Sequence, residues 1–216
     1  VANVHMFVEA QKDCNFQQII NNAGIVTPDG QPLVWALRLL YGIQQDRVAG
    51  MDLLPDLLKQ MEQQNMSAYF YGGTQSMLDK TKAFIQQQYP LLPIAGFYSP
   101  PFRLLTDAEQ SEMVRAINSV QPNIVFVVLG CPKQEKWMAS MQGKIQSVMI
   151  GVGGALPVMI GEQKRAPIWM QNTGLEWLYR LFQEPKRLFK RYAVTNTYFV
   201  FILIRELVRL KILKPL

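Results

Sequence analysis

The run Ile124-Val-Phe-Val-Val-Leu129 is apolar at every position. A strand with one wet face alternates apolar and polar residues. This one asks for cover on both faces, the condition of a central strand in a parallel sheet. Parallel strands need long crossovers, usually helical, and the chain supplies them. Between residues 24 and 151 short β-branched runs alternate with longer helical patterns. The strand candidates are Gly24–Thr27, Ser67–Tyr71, Leu92–Tyr98, Ile124–Leu129 and Ser147–Gly151. The helix candidates are Gln31–Tyr41, Met51–Asn65, Gln75–Gln88, Thr106–Val120 and Lys133–Met141. Thr106 with Glu109 three residues later is a capping-box start, and Pro32 suits the first turn of a helix. The expectation is an α/β fold: an open, mainly parallel sheet with flanking helices. With 216 residues, 49% of them apolar, the chain makes one domain, or one domain plus an appendage, and not a disordered protein.

The pattern changes after Gly161. Pro167 to Arg191 reads as helix interrupted near Glu184-Pro185, and Thr195 to Ile212 as a second helix. The charge changes with it. Residues 161–216 hold eleven Lys/Arg against four Asp/Glu, and the rest of the chain is close to neutral. Such asymmetry points to an anionic partner: phosphate, anionic lipid or nucleic acid. The apolar run Tyr198–Ile204 is too short to span a bilayer, and no segment reaches ~18 uninterrupted apolar residues. Arg205, Arg209, Lys211 and Lys214 follow it, interleaved with leucines, as in an amphipathic helix lying in a membrane interface. A solvated basic helix, or a terminal helix packed on the body or on a sister subunit, is the plainer reading. The division expected is an α/β catalytic domain over residues 1–165 and a basic helical C-terminal appendage over residues 166–216. No signal-peptide pattern is present.

Two cysteines, Cys14 and Cys131, supply no disulfide framework, and one histidine, His5, excludes a multi-His zinc site. Chemistry therefore falls to the loops at the carboxyl ends of the strands, where open α/β sheets bind ligands. Thr27-Pro28-Asp29-Gly30 places an acid on a tight turn, as a general base towards a hydroxyl or as plain turn chemistry. Gly72-Gly73-Thr74 opens a helix whose backbone N–H groups suit phosphate, without the spacing of a Walker or dinucleotide loop. Gly130-Cys-Pro-Lys-Gln-Glu-Lys-Trp137 crowds polar side chains at a helix start. Its Cys131 reads as a small buried thiol, since no histidine is placed to activate it. Gly151-Val-Gly-Gly154, with the cations of Gly161 to Arg165, closes the set.

Together these loops resemble the WecG/TagA/CpsF glycosyltransferase family. The resemblance rests on Thr27-Pro-Asp-Gly-Gln-Pro-Leu-Val-Trp35, Arg47-Val-Ala-Gly-Met-Asp52, Gly130–Trp137, Gly151-Val-Gly-Gly-Ala155 with Lys164-Arg-Ala-Pro167, and Gly174-Leu-Glu-Trp-Leu-Tyr-Arg-Leu181 running into Glu184-Pro-Lys-Arg187 and Arg191-Tyr192. It spans roughly residues 3 to 192.

The resemblance implies an inverting, metal-independent enzyme of bacterial surface polysaccharide assembly that needs no cofactor. Its donor would be a UDP-sugar, hexose or N-acetylhexosamine. Its acceptor would be a polyprenyl-diphosphate-linked sugar at the cytoplasmic membrane face, with the protein peripheral on that anionic surface. It also implies roles residue by residue. Asp29 falls on the family's general base, Arg47 on an active-site arginine, and Gln134 and Glu135 on its active-site loop. Arg180, Arg187 and Arg191 fall on appendage arginines that meet the nucleotide diphosphate. Asn3 matches the Asn of a Thr-x-Asn element, with Val1 in place of the Thr, and the family's first strand and helix are expected to be missing. Gly72, Gly73 and Gly153 join the substrate-binding set as the strand-end glycines. A homo-oligomer is compatible with all this. The competing class is a nucleic-acid-binding α/β domain with a basic tail. Its aromatics, however, lie among aliphatic runs rather than alternating with Lys/Arg as stacking platforms do, so nucleic acid is not the expected partner.

Overall fold

The computed structural model describes the backbone of residues 1–213 and the side chains of residues 1–210. In chain order the elements are α1 (Val4–Lys12), α2 (Cys14–Asn21), α3 (Gln31–Tyr41), α4 (Gly50–Gln63), β1 (Ala68–Gly72), α5 (Gln75–Gln88), β2 (Ile94–Tyr98), α6 (Asp107–Ser119), β3 (Ile124–Val128), α7 (Lys133–Met141), β4 (Val148–Gly151), α8 (Ala155–Met159), α9 (Ile168–Asn172), α10 (Glu176–Gln183) and α11 (Pro185–Leu213). They form two compact units, one of residues 50–164 and one of residues 1–49 with 165–216.

The unit of residues 50–164 holds the sheet. Its four strands are all parallel, in the order β2-β1-β3-β4. β1 and β3 are buried at every position, as the unbroken apolar run of β3 requires. Alternate residues feed two cores. Ala68, Phe70, Phe126 and Val128 pack with Leu54 and Leu58 of α4, Leu78 and Ile85 of α5, and Leu156 of α8. Tyr69, Tyr71, Val125 and Val127 pack on the other face with Met113 and Ile117 of α6 and Met141 of α7. The fold is therefore α/β, an open parallel sheet covered on both sides. From β1 the chain moves outward to β2, then crosses back to β3 on the opposite side. The strand order reverses between β1 and β3, and the carboxyl ends of those two strands flank the switch point. The capping box forms at the start of α6: Thr106 Oγ1 accepts from Glu109 N, and Thr106 N donates to Glu109 Oε2.

The other unit is helical. α11 packs along α1 and α3, with Phe7 edge-on to Phe199 at 5.6 Å between ring centres. Two helices, α1 and α2, occupy residues for which the sequence suggested no element. Their signal was the caps: Asn3 Oδ1 accepts from Met6 N, and Asp13 Oδ1 accepts from Asn15 N and Phe16 N.

Two expectations are corrected. Gly24–Thr27 is not a strand. Its β-branched residues have one residue to pair with, Ala2, which makes an isolated parallel bridge to Pro28 before the chain turns into α1. Ile25 is left 85% exposed. The helix expected from Thr195 begins at Pro185 instead. The buried Thr195 hydroxyl donates to Arg191 O at 2.9 Å, so the polar residue is absorbed inside the helix. The break expected at Glu184-Pro185 is present, with Pro185 the first residue of α11. A further break falls at Gly174, whose φ of 74° is left-handed. The Lys211 side chain and Lys214, part of the expected basic stripe, lie outside the described residues.

Candidate active site

In the unit of residues 1–49 and 165–216, the Thr27-Pro28-Asp29-Gly30 turn is held by backbone bonds at both ends. Asp29 N donates to Ala2 O at 2.6 Å, Ala2 N to Thr27 O at 2.8 Å, and Val48 N to Pro28 O at 3.0 Å. Gly30 takes φ 115° and opens α3, whose second residue is Pro32. The acid is thereby fixed immediately before a helix and cannot rotate away with its loop.

The bond from Val48 brings Arg47 to the same turn. Arg47 Nη1 donates to Glu176 Oε2 at 2.7 Å and Nη2 to Gln171 Oε1 at 3.4 Å. Gln171 Nε2 in turn donates to Ala166 O at 2.6 Å. Both partners of the ion pair are largely shielded, with side chains 14% and 16% exposed. Desolvation pushes the Asp29 carboxyl from 3.8 up to about 6; Glu176 adds to this, and Arg47 and Arg180 oppose it. A carboxyl that changes charge near 6 is ionised at neutral pH yet basic enough to take a proton, which is the tuning a general base needs.

Arg180 is thus brought to the electrostatic surroundings of Asp29. Arg187 is exposed and ion-paired with Glu184. Arg191 lies over the Tyr192 ring at 5.4 Å, its Nε buried without a hydrogen-bond partner among the described residues. Its charge also reaches His5, whose pKa is lowered by burial and then by Arg191. Asn3 serves as the α1 cap, directly after Ala2, which bridges to Pro28. Glu176 and Gln171 received no role from the sequence. Glu176 sits inside the Gly174–Leu181 motif as its one acid, and that was the available signal.

In the unit of residues 50–164, the second cluster lies at the carboxyl edge of the sheet. Gly72 ends β1 with φ 107°, and a Cβ there would stand 2.7 Å from Val128 O, so only glycine lets β1 and β3 close together at this point. Gly73 follows with φ 79°, and Thr74 caps α5 by accepting from Met77 N at 3.2 Å. Ser99 Oγ donates to Gly73 O at 2.7 Å. Across the switch point, Gln134 is buried at the start of α7, where Gly130 N donates to its Oε1 at 3.2 Å. A Cβ on Gly153 would sit 3.0 Å from that oxygen, and one on Gly151 2.9 Å from Gln134 Nε2, so the glycines after β4 make room for this amide. Gln134 Nε2 donates to Glu135 Oε1 at 2.7 Å. Glu135 Oε2 is buried and has no hydrogen-bond partner among the described residues. A buried carboxylate oxygen without a donor is costly, and a ligand hydroxyl or amide would relieve it. Cys131 is half-buried and in no disulfide. Among the described residues no three His, Cys, Asp or Glu side chains gather closely enough to hold a metal ion.

A sequence profile described as the glycosyl transferase WecG/TagA/CpsF family matches residues 1–212. The chain belongs to the WecG/TagA/CpsF family. Among its relatives is a Bacillus spizizenii protein named N-acetylglucosaminyldiphosphoundecaprenol N-acetyl-beta-D-mannosaminyltransferase. It is 31% identical over 187 residues, which are 86% of this chain and 71% of that protein. A Staphylococcus aureus protein of the same name is 30% identical over 174 residues, 80% of this chain and 66% of its own length. Both clusters of this WecG/TagA/CpsF chain, the one around Asp29 and the one around Gln134, fall inside the residues the family profile matches.

Proposed function

We propose that this chain is an inverting glycosyltransferase that moves a sugar from a UDP-sugar onto a polyprenyl-diphosphate-linked sugar. The observation that carries the reading is Asp29, fixed on its turn and desolvated, with its pKa pushed up to about 6 under the opposing charges of the Arg47–Glu176 ion pair. Asp29 takes the proton from the attacking acceptor hydroxyl as that oxygen bonds to the anomeric carbon and the bond to UDP breaks. The beta linkage in the relatives' name supports inversion from an α-linked nucleotide sugar.

The departing diphosphate gains negative charge, which arginines stabilise through bidentate contacts. Arg47 and Arg180 take that part beside Asp29, with Arg187 and Arg191 on the same appendage, and no divalent ion is required. The glycines of the switch point, Gly72, Gly73 and Gly153, let a nucleotide approach backbone N–H groups, and Gln134 and Glu135 meet the donor. Glu135 Oε2, the buried oxygen without a donor, accepts from a sugar hydroxyl or amide. Asn3 supports the turn from the α1 cap. The basic C-terminal quarter seats the protein on the cytoplasmic membrane surface, where the lipid-linked acceptor resides. No helix of the described residues is long and apolar enough to cross a membrane.

The test is transfer from a panel of UDP-sugars to N-acetylglucosaminyl-diphosphate-lipid, with and without EDTA. One UDP-sugar should give a β-linked disaccharide product at an EDTA-insensitive rate. Hydrolysis alone, or no turnover with any donor, would refute the assignment.

A further inference from the structure

An apolar groove of about 510 Å³ opens in the unit of residues 1–49 and 165–216. Phe7 of α1, Leu37 and Leu40 of α3, and Phe199 and Leu203 of α11 line its length. Thr27 and Pro28 form part of the wall, so the groove reaches to within one residue of Asp29. Arg205, Glu206 and Arg209 border it as well. Arg209 shares Glu206 at 3.4 Å, while Arg205 is exposed and has no ion-pair partner among the described residues. The groove thus joins an apolar trough, an excess of positive charge and the turn that carries the base. Its size is that of a ligand site rather than a packing gap.

We propose that this groove holds the isoprenoid chain of the acceptor, the units nearest the diphosphate, with Arg205 on the diphosphate itself. The inference rests on the glycosyltransferase reading and adds to it a site for the lipid. An acceptor that is mostly hydrocarbon must keep its chain covered while its sugar hydroxyl meets Asp29. A trough walled by Thr27 and Pro28 does both. Burial of each further isoprene unit strengthens binding until the groove is full, and units beyond that stay outside and add little.

The experiment uses the full chain and a series of acceptors that share one sugar diphosphate and differ in lipid, from hexyl through farnesyl and geranylgeranyl to longer chains. KM should fall about tenfold or more between hexyl and geranylgeranyl and level off beyond it. Leu37→Gln with Leu40→Gln should erase that dependence, raising KM for the geranylgeranyl acceptor to the hexyl value while donor KM and turnover on the hexyl acceptor hold. Leu40→Met should behave as wild type. A KM independent of chain length, or equal loss on short and long acceptors, would overturn the proposal.

Calorimetry with geranylgeranyl diphosphate, without any donor, separates this proposal from the one beneath it. Wild type should bind it; the double variant should lose that binding, and Arg205→Gln should weaken it without affecting geranylgeraniol. Binding without transfer would sink the glycosyltransferase reading and leave the groove as a polyprenyl-diphosphate site. Transfer without this binding would sink the groove. Dissociation of a dimer by the double variant would assign the surface to a second copy, against the proposal.

Discussion

Arg47 Nη1 donates to Glu176 Oε2 at 2.7 Å across 129 positions of sequence, and the two charges act on Asp29 in opposite directions. Glu176 raises its pKa and Arg47 lowers it. The ion pair is therefore a trim on the base, with burial as the larger cause. Neutralising either partner should move the acid limb of the pH–rate profile, and in opposite senses. Glu176→Gln should carry the limb to lower pH, Arg47→Met to higher pH, while the alkaline plateau shows each variant's own loss of turnover. Stopped assays of kcat/KM between pH 4.5 and 8.5 read both. Movement in the same direction would break the link between the pair and Asp29.

The desolvated carboxyl also ties stability to pH. Its folded pKa, about 6, lies above the ordinary 3.8, so the neutral acid is the form the fold favours. The stability it contributes is complete below about 3.8 and lost as pH rises through about 6. At higher pH the protein keeps a buried charge that Asn would not carry, a difference of up to ~3 kcal/mol. Asp29→Asn should melt above wild type at pH 8, and the gap should close by about pH 4. Calorimetric scans at the two values check it; an equal gap at both would contradict the assignment.

Gly72 is a point of close backbone approach between β1 and β3. A methyl group there meets the Val128 carbonyl, a backbone atom that cannot step aside, at a φ of 107° that L side chains rarely adopt. Gly72→Ala should cost about 3 kcal/mol or more and weaken nucleotide binding. Urea unfolding of the variant gives the first, and calorimetry with UDP the second.

Lys186 and Lys190 are exposed at the start of α11. Each contributes about 1 kcal/mol beside an anionic surface, so Lys186→Gln with Lys190→Gln should lower partition onto anionic liposomes by about thirtyfold. Neutral liposomes should show no such difference in co-sedimentation. Unchanged partition would move the membrane contact elsewhere.

The sheet was legible because its signals are local. An all-apolar β3 forced cover on both faces, and α3, α5 and α7 begin and end where periodicity, caps and glycines placed them. Gly24–Thr27 misled because β-propensity describes a residue's fitness for a ladder without supplying the neighbour; among the described residues the bridge there is a single one, from Ala2 to Pro28. The helix starting at Pro185 runs through Thr195, whose buried hydroxyl donates to the Arg191 carbonyl one turn back in the same helix, so a polar residue that looked like a helix start sits satisfied in its interior. At the site, Asp29 stood out as an acid between Pro and Gly. Glu176 did not, since its meaning comes from Arg47 and Asp29, both distant in sequence. The Glu135 oxygen left without a donor is likewise visible only once α7 is packed.

Whether Asp29 is the base is decided by a single comparison. Turnover on a lipid-linked acceptor is measured for wild type and Asp29→Asn, alongside UDP-sugar affinity by calorimetry. The substitution keeps the size and hydrogen-bonding reach of the side chain and removes its ability to take a proton. Turnover should fall by about 10²–10⁴-fold with donor affinity within about twofold. An Asn variant that turns over near the wild-type rate would contradict the assignment of Asp29 and, with it, the mechanism.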